Sequence, residues 1–317
     1  MENQTVNVLV LSELSDNPSL QFLMFLVFLL VYLMTLTGNL LIVLLICTDS
    51  HLQTPMYFFL GTLACLDMSC SSVTIPRMLF DLYTRQKIIS MQDCITQIYF
   101  FLFLAMSEVV LLAVMSYDRY VAICRPLHYL QIMHWKACVL LVSGVFGFGI
   151  VYALVHTLFL LKLTFCSSNT LQSFFCDFPQ FIKVSCSDTF INKLLIIFFG
   201  LLPGIVFLTL TLYPYIIILN TVMKIPSKHM RSKAFSTCSS HLTVVIIFYG
   251  TVFFNYLDTN SKDHFKEGSI VFSVFYAVLA PLFNPLIYSL RNKELKTSLQ
   301  IVFNKIIKND HSTQLDK

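Results

Sequence analysis

Apolar residues along this chain gather into seven long runs, near 24–47, 57–80, 96–118, 137–161, 194–222, 239–257 and 268–290. A helix that crosses a bilayer needs about 20 mostly apolar residues, whereas a barrel strand needs about 10 with strict alternation. The runs have the helical length and lack the alternation. Backbone groups surrounded by lipid must bond within their own segment, so each run predicts a helix. The expected fold is an all-α membrane protein, a seven-transmembrane helix bundle. Beyond it, Leu295, Leu299, Val302 and Ile306 share one side of the basic stretch 292–307. That pattern predicts a short amphipathic eighth helix on the membrane face. The chain divides into an N-terminal segment 1–23, the helical bundle 24–290 and a tail 291–317, with no linker or repeat.

Composition agrees with the pattern. Of 317 residues, 56% are hydrophobic and 12% charged, against roughly 25% charged in a soluble domain. Mean hydropathy is +0.75. The expected surroundings are membrane lipid, with no nucleic-acid partner. Residues 1–20 hold no basic cluster, so the first helix is expected to act as its own insertion signal rather than as a cleaved leader. With the N-terminus outside, 13 of the 21 basic residues but five of the 17 acidic ones fall on the inner side. The outer side then holds eight basic and ten acidic residues. This positive-inside bias supports a multi-pass plasma-membrane protein with an extracellular N-terminus. The glycosylation sequon at Asn3 agrees with that orientation.

Helical spacing shows which faces carry chemistry. Phe101, Ala105, Glu108, Leu112 and Arg119 share one face of the third helix. Arg119 cannot favourably face lipid, so that face points into the bundle. Similar stripes run through His241, Val245, Tyr249, Val252 and Tyr256, and through Val274, Ala277, Pro281, Asn284 and Tyr288. The outer third of the bundle is the expected ligand pocket. Phe101, Leu102, Ala105 and Met106 line it from helix three, and Ile197, Phe198 and Leu201 from helix five. Val252, Phe253 and Tyr256 come from helix six, with Val274 and Ala277 from helix seven. The lining is apolar and aromatic, with the Tyr256 hydroxyl to orient a small neutral organic ligand. Asp67 and Glu108 lie deep in the membrane, where an ionised carboxylate costs roughly 2.5–3.5 kcal/mol. They must be paired, protonated or bound to a cation.

Motifs along the whole chain are specific. Gly38-Asn39 stands in the first run, and Leu52-Gln53-Thr54-Pro55-Met56-Tyr57-Phe58-Phe59-Leu60 opens the second. Met115-Ser116-Tyr117-Asp118-Arg119-Tyr120-Val121-Ala122-Ile123-Cys124 ends the third and leads into Arg125-Pro126-Leu127-His128-Tyr129. Lys233-Ala234-Phe235-Ser236-Thr237-Cys238 opens the sixth, and Pro281-Leu282-Phe283-Asn284-Pro285-Leu286-Ile287-Tyr288 runs through the seventh. Together they resemble the odorant receptors of tetrapods, a branch of the rhodopsin-like G-protein-coupled receptors. One departure is Leu212-Tyr213, where odorant receptors usually carry Ser-Tyr.

The resemblance implies an odorant receptor that couples to a heterotrimeric stimulatory olfactory G protein and raises cyclic AMP. It implies a switch at Asp118, Arg119 and Tyr120, with Arg119 released on activation towards Tyr213 and Tyr288. His241, Tyr249, Asn284 and Pro285 accompany that switch. It favours a Cys94–Cys176 disulfide over the other pairings of the four outer cysteines, leaving Cys166 with Cys186. It places an internal sodium ion at Asp67, to which odorant receptors add Glu108; a proton shared by the two carboxylates is the rival. No other cofactor and no covalent catalysis are implied. A non-olfactory chemosensory receptor keeps the same fold. A transporter is disfavoured by the seven spans without a repeat, and an intramembrane protease by Asp118 sitting at a helix end beside Arg119.

Overall fold

The computed structural model describes residues 8–12, 17–165, 170–171, 173–187, 189–224, 227–258, 274–291 and 294–301. The principal helices are α1 (Pro18–Thr48), α2 (Pro55–Thr84), α3 (Met91–Cys124), α4 (Trp135–Leu160), α5 (Phe190–Met223), α6 (Lys228–Asp258), α7 (274–291) and α8 (294–301), with short helical turns at Tyr129–Ile132 and Phe178–Val184 in the connections. Five of them, α1 to α5, are long and apolar enough to cross a membrane, and α6 and α7 hold the shorter apolar stretches His241–Thr251 and Ala277–Tyr288. The seven expected helices are therefore present. The part of the seventh run before residue 274 lies outside the described residues, as does α8 beyond 301.

Local chemistry sets the helix ends. Asn17 accepts a hydrogen bond from the Ser19 N–H, and Pro18 takes the first turn of α1, where its missing donor costs nothing. Ser90 caps α3 by accepting from the Asp93 N–H at 3.0 Å. Arg85 closes α2 in the left-handed region at φ 57°. Most helices start earlier than the apolar runs do, because capping turns and polar first turns extend past the lipid-facing core. α6 shows this best, beginning at Lys228 with a polar stretch before its apolar part.

α3 lies at the centre of the bundle, packed against α2, α4 and α5, with α6 touching it; α1 and α7 close the ring beside α2. A Cβ at Gly149 on α4 would overlap the Ser107 hydroxyl and lie 2.8 Å from the Phe103 carbonyl oxygen. Glycine there lets α4 approach the α3 backbone. Hydrogen bonds at helix depth fix the register. The Ser116 hydroxyl donates to the Thr211 carbonyl of α5 at 2.6 Å. The Asn39 amide donates to the Pro281 carbonyl of α7 at 3.2 Å.

One end of the bundle carries a small sheet that the hydropathy pattern did not predict. Strand β1 (Val8–Leu11) lies between β2 (Ile88–Ser90), antiparallel, and β3 (Thr170–Leu171), parallel. Leu9 and Leu11 are buried. Val8–Leu11 thus packs on the end of the bundle. The same end holds the Cys94–Cys176 disulfide. Cys186 is also disulfide-bonded, and its expected partner Cys166 lies outside the described residues, as does Asn3.

Candidate functional site

At the disulfide end, the connection between α4 and α5 folds over the bundle as a lid. Gln97 of α3 positions it: its amide donates to the Val73 carbonyl at 2.9 Å, and its oxygen accepts from the Cys176 N–H at 3.0 Å. The Phe175 ring packs at a tilt on Phe101, 5.3 Å between centroids, which ties the lid to the head of the α3 stripe. Phe101, Leu102 and Met106 are buried and Ala105 is half-buried. On α7, Ala277 is buried and Val274 half-buried. The side chains of Val252, Phe253 and Tyr256 lie outside the described set.

The structure corrects the α5 contribution. Ile197, Phe198 and Leu201 are 46%, 59% and 44% exposed and face outward. They sit in a widened turn, Ile196–Leu201. Such a turn adds about one residue and so rotates the helical face by about 100°. The inward face of α5 runs instead through Phe207, Thr211, Tyr215, Ile218 and Val222. A cleft lined by Ser12, Gln21, Asp81, Arg85, Lys87 and Phe174, with Leu11, Met78 and Leu82, lies beside β1 and includes none of the expected pocket residues.

Two groups near the lid were not anticipated. His156 of α4 is buried, 4.5 Å from the Tyr152 ring and 4.9 Å from the Phe178 ring. Neither of its ring nitrogens has a hydrogen-bond partner among the described residues. Asp177, next to the disulfide, is buried, and burial pushes its carboxyl up to about 7 against the opposing pull of the Phe178 N–H and Lys183. A polarity pattern alone does not reveal that a loop carboxyl is buried.

Midway along the bundle, the Asn284 amide donates to both Asp67 oxygens, at 2.9 and 3.0 Å, and reaches Glu108 at 3.5 Å. All three side chains are buried. The Ser71 hydroxyl, one turn from Asp67, is buried without a partner among the described residues. Pro285 follows Asn284, leaving α7 one backbone donor short at this level. Two carboxylates and the Ser71 hydroxyl supply oxygens that fit a monovalent cation, while the Asn284 amide presents its N–H to the carboxylates; a shared proton fits the same pair.

At the opposite end, Arg119 Nε donates to Asp118 at 3.0 Å, and a second guanidinium nitrogen closes on the same oxygen. The other Asp118 oxygen accepts from the Tyr129 hydroxyl at 2.9 Å. Burial and the Asp118 charge raise the Tyr129 phenol above its usual range, so it stays a donor. Asp118 is thus saturated by its neighbour and by Tyr129, whose role the sequence reading did not assign. Tyr120 is half-buried beside them. Tyr213 is corrected: it is 61% exposed. Two positions on, Tyr215 turns inward and its hydroxyl bonds His241 Nδ1 of α6. Residues two apart on a helix point about 200° apart, so only one of these tyrosines can face the bundle. Tyr288 and His241 are buried and Tyr249 is half-buried.

The central α3, its disulfide to a loop lid, and a buried Asp-Arg pair at its far end define a seven-helix receptor of the rhodopsin type. Squid rhodopsin superposes with a TM-score of 0.72 at 16% identity, covering 92% of this chain and 88% of that one. The olfactory receptor family matches residues 28–306. Human olfactory receptor 8G1 is 45% identical over 298 residues, 94% of this chain and 96% of its own. Mouse olfactory receptor 8G17 is 46% identical over 297 residues, 93% and 96%. The chain belongs to the olfactory receptor family. It is an odorant-type G-protein-coupled receptor of the plasma membrane, and not an enzyme.

The Asp177 carboxyl generates a pH prediction. Its value in the folded lid lies above the ordinary 3.8. The folded lid therefore binds the proton more tightly than the open one, and its stability is full below about pH 4 and falls as pH rises to about 7. Hydrogen exchange across residues 173–187, corrected for intrinsic rate, is expected to speed up over that range. Asp177→Asn is expected to flatten the dependence, and an unchanged slope in the variant would contradict the assignment.

Proposed function

We propose that this receptor binds small neutral organic odorants under the lid and activates the olfactory stimulatory G protein, raising cyclic AMP. The N-terminus and lid face outward and the Asp118–Arg119 end faces the cytosol, the orientation that the loop charges favour. Residues 24–290 form the signalling unit, with β1 docked on its outer end. The single observation that carries the ligand class is the lining itself. Phe101, Leu102, Ala105, Met106, Val274 and Ala277 bear no charge, and the ionisable Glu108 lies a turn deeper. An apolar wall gives about 25 cal/mol per Å² of burial, so a small ligand binds modestly and by shape.

The ligand acts by binding one of two bundle states better. In the state described here, Arg119 is held by Asp118, and Tyr215 is occupied by His241. Outward movement of α6 separates His241 from Tyr215, frees that hydroxyl for Arg119, and opens a cytosolic cavity for the G protein. Two occupants satisfy Asp67 and Glu108. A sodium ion held by them with Asn284 favours the resting state by tying α2, α3 and α7 together; the alternative is a shared proton.

The receptor reading is tested in cells expressing the chain at a verified surface level, with and without the olfactory stimulatory G-protein α subunit. A broad panel of neutral odorants is expected to give dose-dependent cyclic AMP only with that subunit. Ala105→Phe is expected to shift the half-maximal dose about tenfold or more, equivalent to about 1.4 kcal/mol. Silence across the panel, or an Ala105→Phe curve that overlays the parent, would contradict it. For the carboxylate pair, replacing extracellular sodium by an organic cation is expected to raise basal output. Basal output indifferent to sodium assigns the pair a proton instead.

A further inference from the structure

α8 does not simply float on lipid. Its residues 294, 295, 298 and 299 form one face, and that face is fastened to the corner between α1 and α2. The Ser298 hydroxyl donates to Asp49 Oδ2 at 2.6 Å. One turn away, the Tyr57 hydroxyl donates to Glu294 Oε2 at 2.8 Å. Asp49 is itself fixed, its other oxygen accepting from the His51 N–H at 3.0 Å. Between the two polar ties Leu295 is fully buried, and Leu299 packs on the same core. Ser298 and Tyr57 are 6% and 1% exposed, Asp49 is half-buried and Glu294 is exposed, so each tie has one buried hydroxyl and the Ser298–Asp49 bond is the better sheltered. Hydrogen bonds to a carboxylate are the stronger kind, and partial shelter strengthens the Ser298–Asp49 bond further.

We propose that these two hydrogen bonds form a clasp that holds the cytosolic end of α7 in the resting position, and that opening the clasp is part of activation. The inference rests on the coupling proposed above. α7 has its weak point at Pro285, shortly before its end. α8 follows directly, so the segment between Pro285 and the clasp is anchored at its far side. The anchor is firm, since α1 and α2 pack along their length and both pack on α7. Gly38 of α1 lies against Pro285 itself. Any state that displaces the end of α7 must stretch or break the Ser298–Asp49 and Tyr57–Glu294 bonds. Asp49, Tyr57, Glu294 and Ser298 are positioning residues: they set how readily the bundle leaves its resting state without touching ligand.

The full-length receptor tests this at matched surface expression. Ser298→Ala and Tyr57→Phe are each expected to raise basal cyclic AMP about threefold or more while leaving maximal agonist output intact. Asp49→Asn combined with Ser298→Ala is expected to exceed Ser298→Ala alone little, because the Ser298 donor is already gone and the Asn oxygen can still accept from the His51 N–H. Paired cysteines, Asp49→Cys with Ser298→Cys, are expected to cross-link on mild oxidation of membranes, to suppress agonist output, and to recover with reductant. Unchanged basal output in both single variants, or a cross-linked receptor that signals normally, would overturn the proposal. Cross-link yield is read with no G protein present, so a failure of the coupling reading is distinguishable from a failure of the clasp.

Discussion

A polar group at membrane depth cannot fall back on water, and this constraint organises the whole bundle. An unpaired charge there costs several kcal/mol, so the buried carboxylates bring partners from their own or a neighbouring segment, whereas His156, which can stay uncharged, is buried among rings without one among the described residues. Asp118 is saturated by Arg119 and Tyr129. Asp67 is held by both contacts of the Asn284 amide. Tyr215 is matched with His241. These pairings connect α2 with α7, α5 with α6, and α3 with the turn that follows it. Apolar packing fills the bundle, but these few bonds choose among its possible arrangements, because apolar side chains satisfy one helix rotation about as well as another.

α3 gives the arrangement its reach. Cys94 fastens its head to the lid, Glu108 sits beside Asp67 and Asn284 at mid-depth, and Arg119 closes its far end. Under the proposed function, a ligand at Phe101 or Ala105 would act on the same rigid element that carries the guanidinium. The close approach at Gly149 and the Ser116–Thr211 bond keep α3 fixed against α4 and α5. The proposed activation movement falls to α6 and the end of α7, α6 touching α3 less than α2, α4 and α5 do.

Much of this was legible in the sequence. Hydropathy placed the helices, since lipid demands a long uninterrupted apolar run. The α3 stripe followed from spacing, because one Arg that cannot face lipid fixes the rotation of the whole helix. The Cys94–Cys176 bridge came from family resemblance and is present. What spacing missed has physical causes. The widened turn at Ile196–Leu201 shifts the phase of α5, so residues counted on a regular helix point to the wrong side. Leu212-Tyr213 drew attention to the motif-like tyrosine, yet Tyr215 holds the inward position. Strand β1 is an apolar run of only four residues, Val8–Leu11, far too short to stand out among membrane-length runs. Tyr129 and Ser298 act through single long-range hydrogen bonds, which leave no periodic trace.

The central claim is that the guanidinium of Arg119, held by Asp118 in the resting bundle, is the element through which ligand occupancy reaches the G protein. Agonist-evoked cyclic AMP in Arg119→Ala, at surface density equal to the parent and with agonist binding measured in parallel, tests it most directly. The expected result is retained binding with cyclic-AMP output reduced to basal. Full output from that variant would contradict the account.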